Sequence, residues 1–264
     1  MTEKEFLEYY GRGIASFINL YERYKGKYKS DENRPNNNIF SILNESVLRE
    51  CIANKFIKNS NNYKITVEAF YEKKDDKEKR KKLDLLIWKD DKMLYALELK
   101  IERDNTTTSS GIREMISDAH RLIIDKENNY RKKIKDAQKY TVLLVDPKYI
   151  VEKSGYIWGR EFYETLLKSL DKNEDEEVDC NEICKKIEEI VSKKSNNKSR
   201  NKKGEDKKND DTEKWLDCSE KMKDIKLTVK RKLTIDDSNN IKIILFKCEK
   251  KETDNQEKDD TSNS

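Results

Sequence analysis

The chain has 264 residues, of which 42% are charged and 34% hydrophobic, so its apolar residues must be concentrated in part of its length to form a core. Lys and Arg number 57 against 53 Asp and Glu, and a net charge of +4 points to no partner until the positives are located along the chain. A single histidine excludes Cys₂His₂ fingers and HExxH proteases, two prolines and seven glycines exclude collagen-like or proline-rich chains, and no GxxxxGK[S/T] or GxGxxG phosphate loop occurs.

In chain order, Phe6, Tyr10, Ile14, Phe17, Tyr21, Tyr24 and Tyr28 recur at steps of three and four. They predict an amphipathic helix within an N-terminal arm, residues 1–38, interrupted near Gly11 and Gly13. Its aromatic stripe is expected to pack on the domain or on a second copy of the chain, as in a homodimer. After a polar loop with Pro35, the residues Phe40, Leu43, Val47, Cys51 and Phe56 mark a second helix. Three strands follow over residues 63–71, 83–88 and 93–101, the last two joined by a turn at residues 89–92. Ile112, Met115, Ile116, Ala119, Leu122 and Ile123 give a helix, and residues 140–145 a short apolar strand. Residues 149–170 and 182–191 read as helical and complete a core spanning 39–192.

No hydrophobic residue falls between 193 and 214, which predicts a disordered linker. Segment 215–248 is expected to carry a β-hairpin, residues 225–233 and 241–248, on that tether, and the wholly polar residues 249–264 a disordered tail. The five cysteines form no CxxC, the first residues are acidic, and no apolar run approaches the ~20 residues a membrane span needs. The expectation is a reduced, cytoplasmic protein without a membrane partner.

The chemistry concentrates in two strands. Asp84 interrupts the run Leu83 to Trp88, and Glu98 and Lys100 interrupt the run Leu94 to Lys100. A carboxylate within an apolar strand is costly unless a cation or hydrogen bonds compensate it. In a regular third strand Leu94, Ala96, Glu98 and Lys100 share one face, and Met93, Tyr95, Leu97 and Leu99 the other. Adjacent carboxylates offer Mg²⁺ the hard oxygen ligands it requires, and an ammonium beside them can orient a water. Glu-x-Lys recurs in so lysine-rich a chain, as at Glu72/Lys74 and Glu249/Lys251, but Glu72/Lys74 sits in a charged loop, only polar tail follows Glu249/Lys251, and neither has an Asp on the preceding strand. Register is the geometric condition. A regular hairpin with a two-residue turn at Asp90-Asp91 sets Asp84 opposite Leu97, so Asp84 meets Glu98 only through an odd loop or a bulge.

Asp84, a gap of thirteen residues, Glu98-Leu99-Lys100 and the order helix, three strands, helix, strand resemble the PD-(D/E)XK nuclease superfamily over about residues 39–147. Leu83 stands where that family's name-giving proline would be. The resemblance implies an α/β, restriction-endonuclease-like mixed sheet flanked by helices. It implies a Mg²⁺-dependent DNA endonuclease, with Mn²⁺ able to substitute, acting in restriction, phage defence or DNA repair. Asp84 and Glu98 would be metal ligands and Lys100 would assist the water. A glutamate from the preceding helix would join them, Glu45 in preference to Glu50, with Glu68 a further ligand. The alternatives are a catalytically inactive nucleic-acid-binding protein of the same build, or an interaction module that docks through its N-terminal helix and C-terminal hairpin. Arg113, Arg121, Arg131, Lys132 and Lys133 make the region after the third strand basic and are expected to meet DNA phosphates. His120 is expected to be a hydrogen-bonded structural residue, and Cys180 and Cys184 lack the further ligands a metal site needs.

Overall fold

The first helix, α1 (Glu3–Lys25), opens on a capping box. The Glu5 amide donates to Thr2 Oγ1 at 3.2 Å and the Thr2 amide to Glu5 Oε2 at 2.7 Å. The computed structural model describes residues 1–25, 39, 43–59, 63–70, 82–102, 111–124, 134–145, 159–196, 205–236 and 241–252. Helix α1 runs unbroken through Gly11 and Gly13, contrary to the interruption expected there. Gly13 serves packing instead: a Cβ on it would lie 2.7 Å from Ile52 Cα, on α2 (Glu45–Asn59). The two helices therefore touch backbone to backbone. Gly13→Ala must push them apart, and thermal or urea unfolding should show a loss of roughly 1–3 kcal/mol despite alanine's better helix propensity.

Strands β1 (Lys64–Phe70), β2 (Lys82–Lys89) and β3 (Lys92–Glu102) form an antiparallel meander. Helix α3 (Gly111–Ile124) then crosses over to β4 (Gln138–Val145), which pairs parallel with β3. Next come α4 (Gly159–Leu170), α5 (Cys180–Asn196), α6 (Glu205–Lys223), β5 (Ile225–Asp236) and β6 (Ile241–Lys250). The strands make one six-stranded mixed sheet in the order β1-β2-β3-β4-β6-β5. Helices α1 and α2 cover one face, packing Phe6, Tyr10, Ile14 and Phe17 with Leu48, Ile52 and Phe56 over Leu97, Leu99, Val142 and Leu245. The other face lies under α3 to α6, where Met115, Ala119, Leu166, Ile183, Trp215 and Met222 meet Leu86, Ala96, Leu143 and Phe246.

The aromatic stripe of α1 is thus spent within the chain. Phe6 stacks on Tyr95 with ring centroids 4.3 Å apart, and Tyr140 Oη donates to Glu3 Oε1 at 2.8 Å. Only Tyr24 of the described stripe is exposed. Phe6 to Tyr21 of the stripe are thus not available to a second copy of the chain, and Tyr28 lies outside the described residues.

The C-terminal hairpin forms as expected, but it is no tethered appendage. β6 pairs antiparallel with β4 from Lys139↔Cys248 to Val145↔Lys242, so the hairpin completes the central sheet. The tether is also shorter than its composition implies. α5 continues to Asn196 and α6 begins at Glu205, which leaves residues 197–204 of the expected linker outside the described residues. Apolar spacing could not reveal the first turns of α6. Trp215, Cys218 and Met222 anchor the helix, and the wholly polar turns before them carry no apolar residue to mark it. Residues 149–158 and 253–264 also lie outside the described residues.

The outer edge of β5 is covered by residues 175–178. The Asp175 amide donates to Val229 O at 2.6 Å, the Val178 amide to Leu227 O at 2.9 Å, and the Val229 amide to Glu176 O at 3.0 Å. Four of the five cysteines are buried, and all five are free thiols. Burial pushes the Cys180 and Cys248 thiols up to about 12, which makes them core residues and not nucleophiles. No helix among the described residues is long and apolar enough to cross a membrane.

Candidate active site

The β2–β3 hairpin contains a bulge of the kind the register condition calls for. Asp90 and Asp91 form a two-residue turn with φ of 48° and 61°, the left-handed pair that a tight hairpin needs. Lys89 faces Lys92 and Trp88 faces Met93, but Ile87 faces Tyr95, so Leu94 is the extra residue on β3. Leu94 consequently joins the α1–α2 side and Met93 the α3 side, the reverse of their assignment in a regular strand. Beyond the bulge Leu85 faces Leu97, where the paired ladder ends; Asp84 turns its carboxylate to Arg49 of α2, and Glu98 turns its own to Arg121 of α3. Asp84 Oδ2 also accepts from the Leu99 amide at 2.8 Å.

Residues from both flanking layers converge on this strand end. Asn44 caps α2, accepting from the Ser46 amide at 3.0 Å and the Val47 amide at 3.3 Å, and so places Glu45 in the first helical turn. Glu45 Oε1 accepts from the Ile101 amide at 3.1 Å, next to Lys100. One turn along α2, Arg49 donates to Asp84 Oδ1 at 3.2 Å and to Glu68 Oε1 at 2.9 Å. Glu68 adopts φ 50° inside β1, a left-handed kink that accompanies its pairing with Arg49. Glu50 is exposed, which leaves Glu45 as the glutamate of α2 that reaches β3.

On the α3 side, Glu98 is only 2% exposed and binds Arg121 through Oε1. Arg121 also pairs with Asp118 Oδ1 at 3.0 Å, and Asp118 Oδ2 lies 3.1 Å from Lys100 Nζ. Glu98, Arg121, Asp118 and Lys100 therefore form a continuous ionic chain that leaves β3 at one residue and returns two residues later. Burial pushes the Glu98 carboxyl well above the usual carboxylate range, the charge of Asp118 adds to the rise, and Arg121 opposes it. Burial pulls the Lys100 ammonium down, but Asp118, Glu45, Glu98 and Asp84 outweigh it and hold Lys100 above its ordinary value. In this arrangement Lys100 offers a fixed positive charge and hydrogen-bond donors, not a base.

Asp84, Glu98, Lys100, Glu45 and Glu68 are thus brought to one end of the sheet. Arg49 and Asp118 belong to the same cluster and were missed from sequence. Both are charged residues beside buried apolar ones, Arg49 next to Leu48 and Asp118 next to Ala119, and that interruption of an apolar stripe was the available signal. Two residues expected at a DNA surface lie inward: Arg121 binds Glu98, and Arg113 is 8% exposed with its guanidinium 5.7 Å over the Trp215 ring. Arg131, Lys132 and Lys133 lie outside the described residues. A cavity of about 230 Å³ between α3 and α6 is lined by Lys100, Arg113, Ser117, Asp118, Lys214 and Asp217, and it gives Lys100 an opening to the surface. His120 Nε2 sits 3.5 Å from Asp224 Oδ2 and joins α3 to the end of α6. In the competing Glu-x-Lys, Glu249 is exposed and pairs with Lys247 at 3.3 Å.

The donors have the chemistry a hard divalent cation requires, but their present partners do not suit one. Asp84 holds Arg49 and a backbone amide, Glu98 holds Arg121, and Glu45 holds a backbone amide. Among the described residues no three His, Cys, Asp or Glu side chains gather in a group able to hold a metal ion. Comparison with family models, curated proteins and solved structures finds no match to this chain.

Proposed function

We propose that this chain is a restriction-endonuclease-like phosphodiesterase acting on DNA, with its site at Asp84, Glu98 and Lys100 and a requirement for Mg²⁺ that Mn²⁺ can meet. The observation that carries the reading is the bulge at Leu94. Without it, the two-residue turn would set Asp84 opposite Leu97; with it, Leu85 takes Leu97, Asp84 accepts from the Leu99 amide next to Glu98, Lys100 follows on the Glu98 side, and Glu45 arrives from the preceding helix. The build around them agrees: a helix, an antiparallel three-strand meander, a crossover helix and a fourth strand parallel to the third. Lys100, held protonated, is suited to binding a phosphate oxygen where negative charge develops.

A second reading is favoured by the arginines. Arg49 and Arg121 already neutralise the two acids, as expected of a nuclease-like protein that binds nucleic acid without turnover. Supercoiled plasmid and single-stranded DNA, each incubated with the protein in Mg²⁺, Mn²⁺ or EDTA, separate the two. Strand breaks that need metal support the enzyme. Binding in EDTA with no cleavage in any metal supports the second reading, and neither binding nor cleavage removes both.

A further inference from the structure

The cavity between α3 and α6, at about 230 Å³, is smaller than the roughly 300–1,000 Å³ of pockets that bury drug-sized ligands, so it suits a small group. Three cations line it, Lys100, Arg113 and Lys214. Arg113 is 8% exposed, and its stacking over the Trp215 ring fixes the plane of a guanidinium suited to an oxyanion. Two of the lining acids are answered by cations from outside the lining, Asp217 by Lys221 at 2.6 Å and Asp118 by Arg121 at 3.0 Å, the latter shared with Glu98. The third, Glu114, is exposed. These acids therefore do not confront a ligand as bare charges.

One polar atom at this wall is unmet. Asp118 is 8% exposed, and its Oδ2 is buried and accepts no hydrogen bond among the described residues, although the Lys100 ammonium lies beside it at 3.1 Å. A buried acceptor in that state favours a donor. A ligand for the cavity must then be anionic, to suit Lys100 and Arg113, and must carry a proton, to suit Asp118. A protonated phosphate has both properties. Sulfate has the same shape but no proton at neutral pH. We infer that this cavity binds a protonated phosphate, as hydrogen phosphate or as a phosphate monoester, with its oxygens toward Lys100 and Arg113 and its P–OH on Asp118 Oδ2. Lys100 turns from Asp118 to the phosphate and so uncovers Oδ2, and Lys214 adds its charge from α6. The site needs neither metal nor strand cleavage.

The test is calorimetry of the full chain in EDTA with inorganic phosphate and, separately, sulfate. Phosphate should bind about ten- to a hundredfold tighter, the span set by a buried acceptor that sulfate leaves unmet. Asp118→Asn presents an amide donor beside its acceptor and should erase most of that preference, while Lys214→Gln should weaken both anions several-fold. Equal affinity for the two anions in the wild type overturns the inference without any variant having to fold, and so does a preference that survives Asp118→Asn. A DNA oligonucleotide with a terminal phosphate, set against the same one ending in a hydroxyl, identifies the source. Displacement of phosphate by the first alone supports a monoester at a strand end, and displacement by neither supports hydrogen phosphate. No binding of inorganic phosphate sinks the site and spares the proposed function. Phosphate binding by a chain that cleaves nothing in any metal upholds the site and removes the enzyme.

Discussion

Asp84→Ala, Glu98→Ala and Lys100→Ala should each reduce metal-dependent DNA cleavage by a hundredfold or more, on the scale of losing one charge-stabilising or positioning group. The routes differ. Asp84→Ala removes an acid that also accepts the Leu99 amide and pairs with Arg49, so some slackening of the β2–β3 end accompanies the loss. Glu98→Ala takes one anionic partner from Arg121, and a buried cation with fewer partners should lower the melting temperature as well. Lys100→Ala should be the cleanest, removing a positive charge while Asp118 keeps Arg121. Glu45→Ala should cost less, since Glu45 reaches the site from α2 through the Ile101 amide and does not stand on the strands that carry Asp84, Glu98 and Lys100. The exposed Glu249→Ala should change nothing. Full activity in Asp84→Ala or Lys100→Ala, measured on the plasmid substrate, would refute this assignment of the site.

A chain cut back to residues 1–192 should fail to fold cooperatively. Sequence composition argued the opposite, that everything past residue 192 was an appendage. The sheet contradicts this, because β4 lies between β3 and β6 and loses one of its two neighbours when the hairpin goes. The cut also removes Trp215, Met222, Leu227, Val229, Ile244 and Phe246 from the core under α3 to α6, and Ile243 and Leu245 from the other. At about 2–5 kcal/mol for each large side chain, a few of these exceed the roughly 5–15 kcal/mol that keeps a domain folded. The expected observation is a broad, non-cooperative thermal transition and strong binding of a hydrophobic dye. A nick within residues 197–204 of the intact protein should by contrast leave the two pieces associated on gel filtration. A sharp melt for residues 1–192 alone would show that the hairpin is dispensable.

Those two results also mark how far the amino-acid order can be read. The runs around Asp84 and Glu98 are legible because a charge in an apolar strand is visible locally. Their alignment is not, since it hangs on the bulge at Leu94, one residue out of register in a hairpin whose turn gives no sign of it. The pairing of Val142 with Leu245 has no local signature, because two strands so far apart in sequence find each other only through the assembled core. Arg121 reads from sequence as a DNA contact, and Arg49 is not singled out there. Their real partners come from other elements across the packing interface, and spacing along a helix carries no information about those.

The segment that lies along β5 has a consequence for how the protein behaves in company. Strand edges recruit other chains where backbone donors and acceptors stand in an unused row. On the β5 flank the carbonyls of Leu227 and Val229 and the amide of Val229 are already taken by residues 175–178. At the opposite flank, no described residue pairs with the outer side of β1. Strand addition between molecules, in concentrated solution or during recovery from stress, is thereby steered to one side of the sheet. Solubility is to be engineered at β1, where a lysine at the exposed Thr66 would interrupt the template without touching the site.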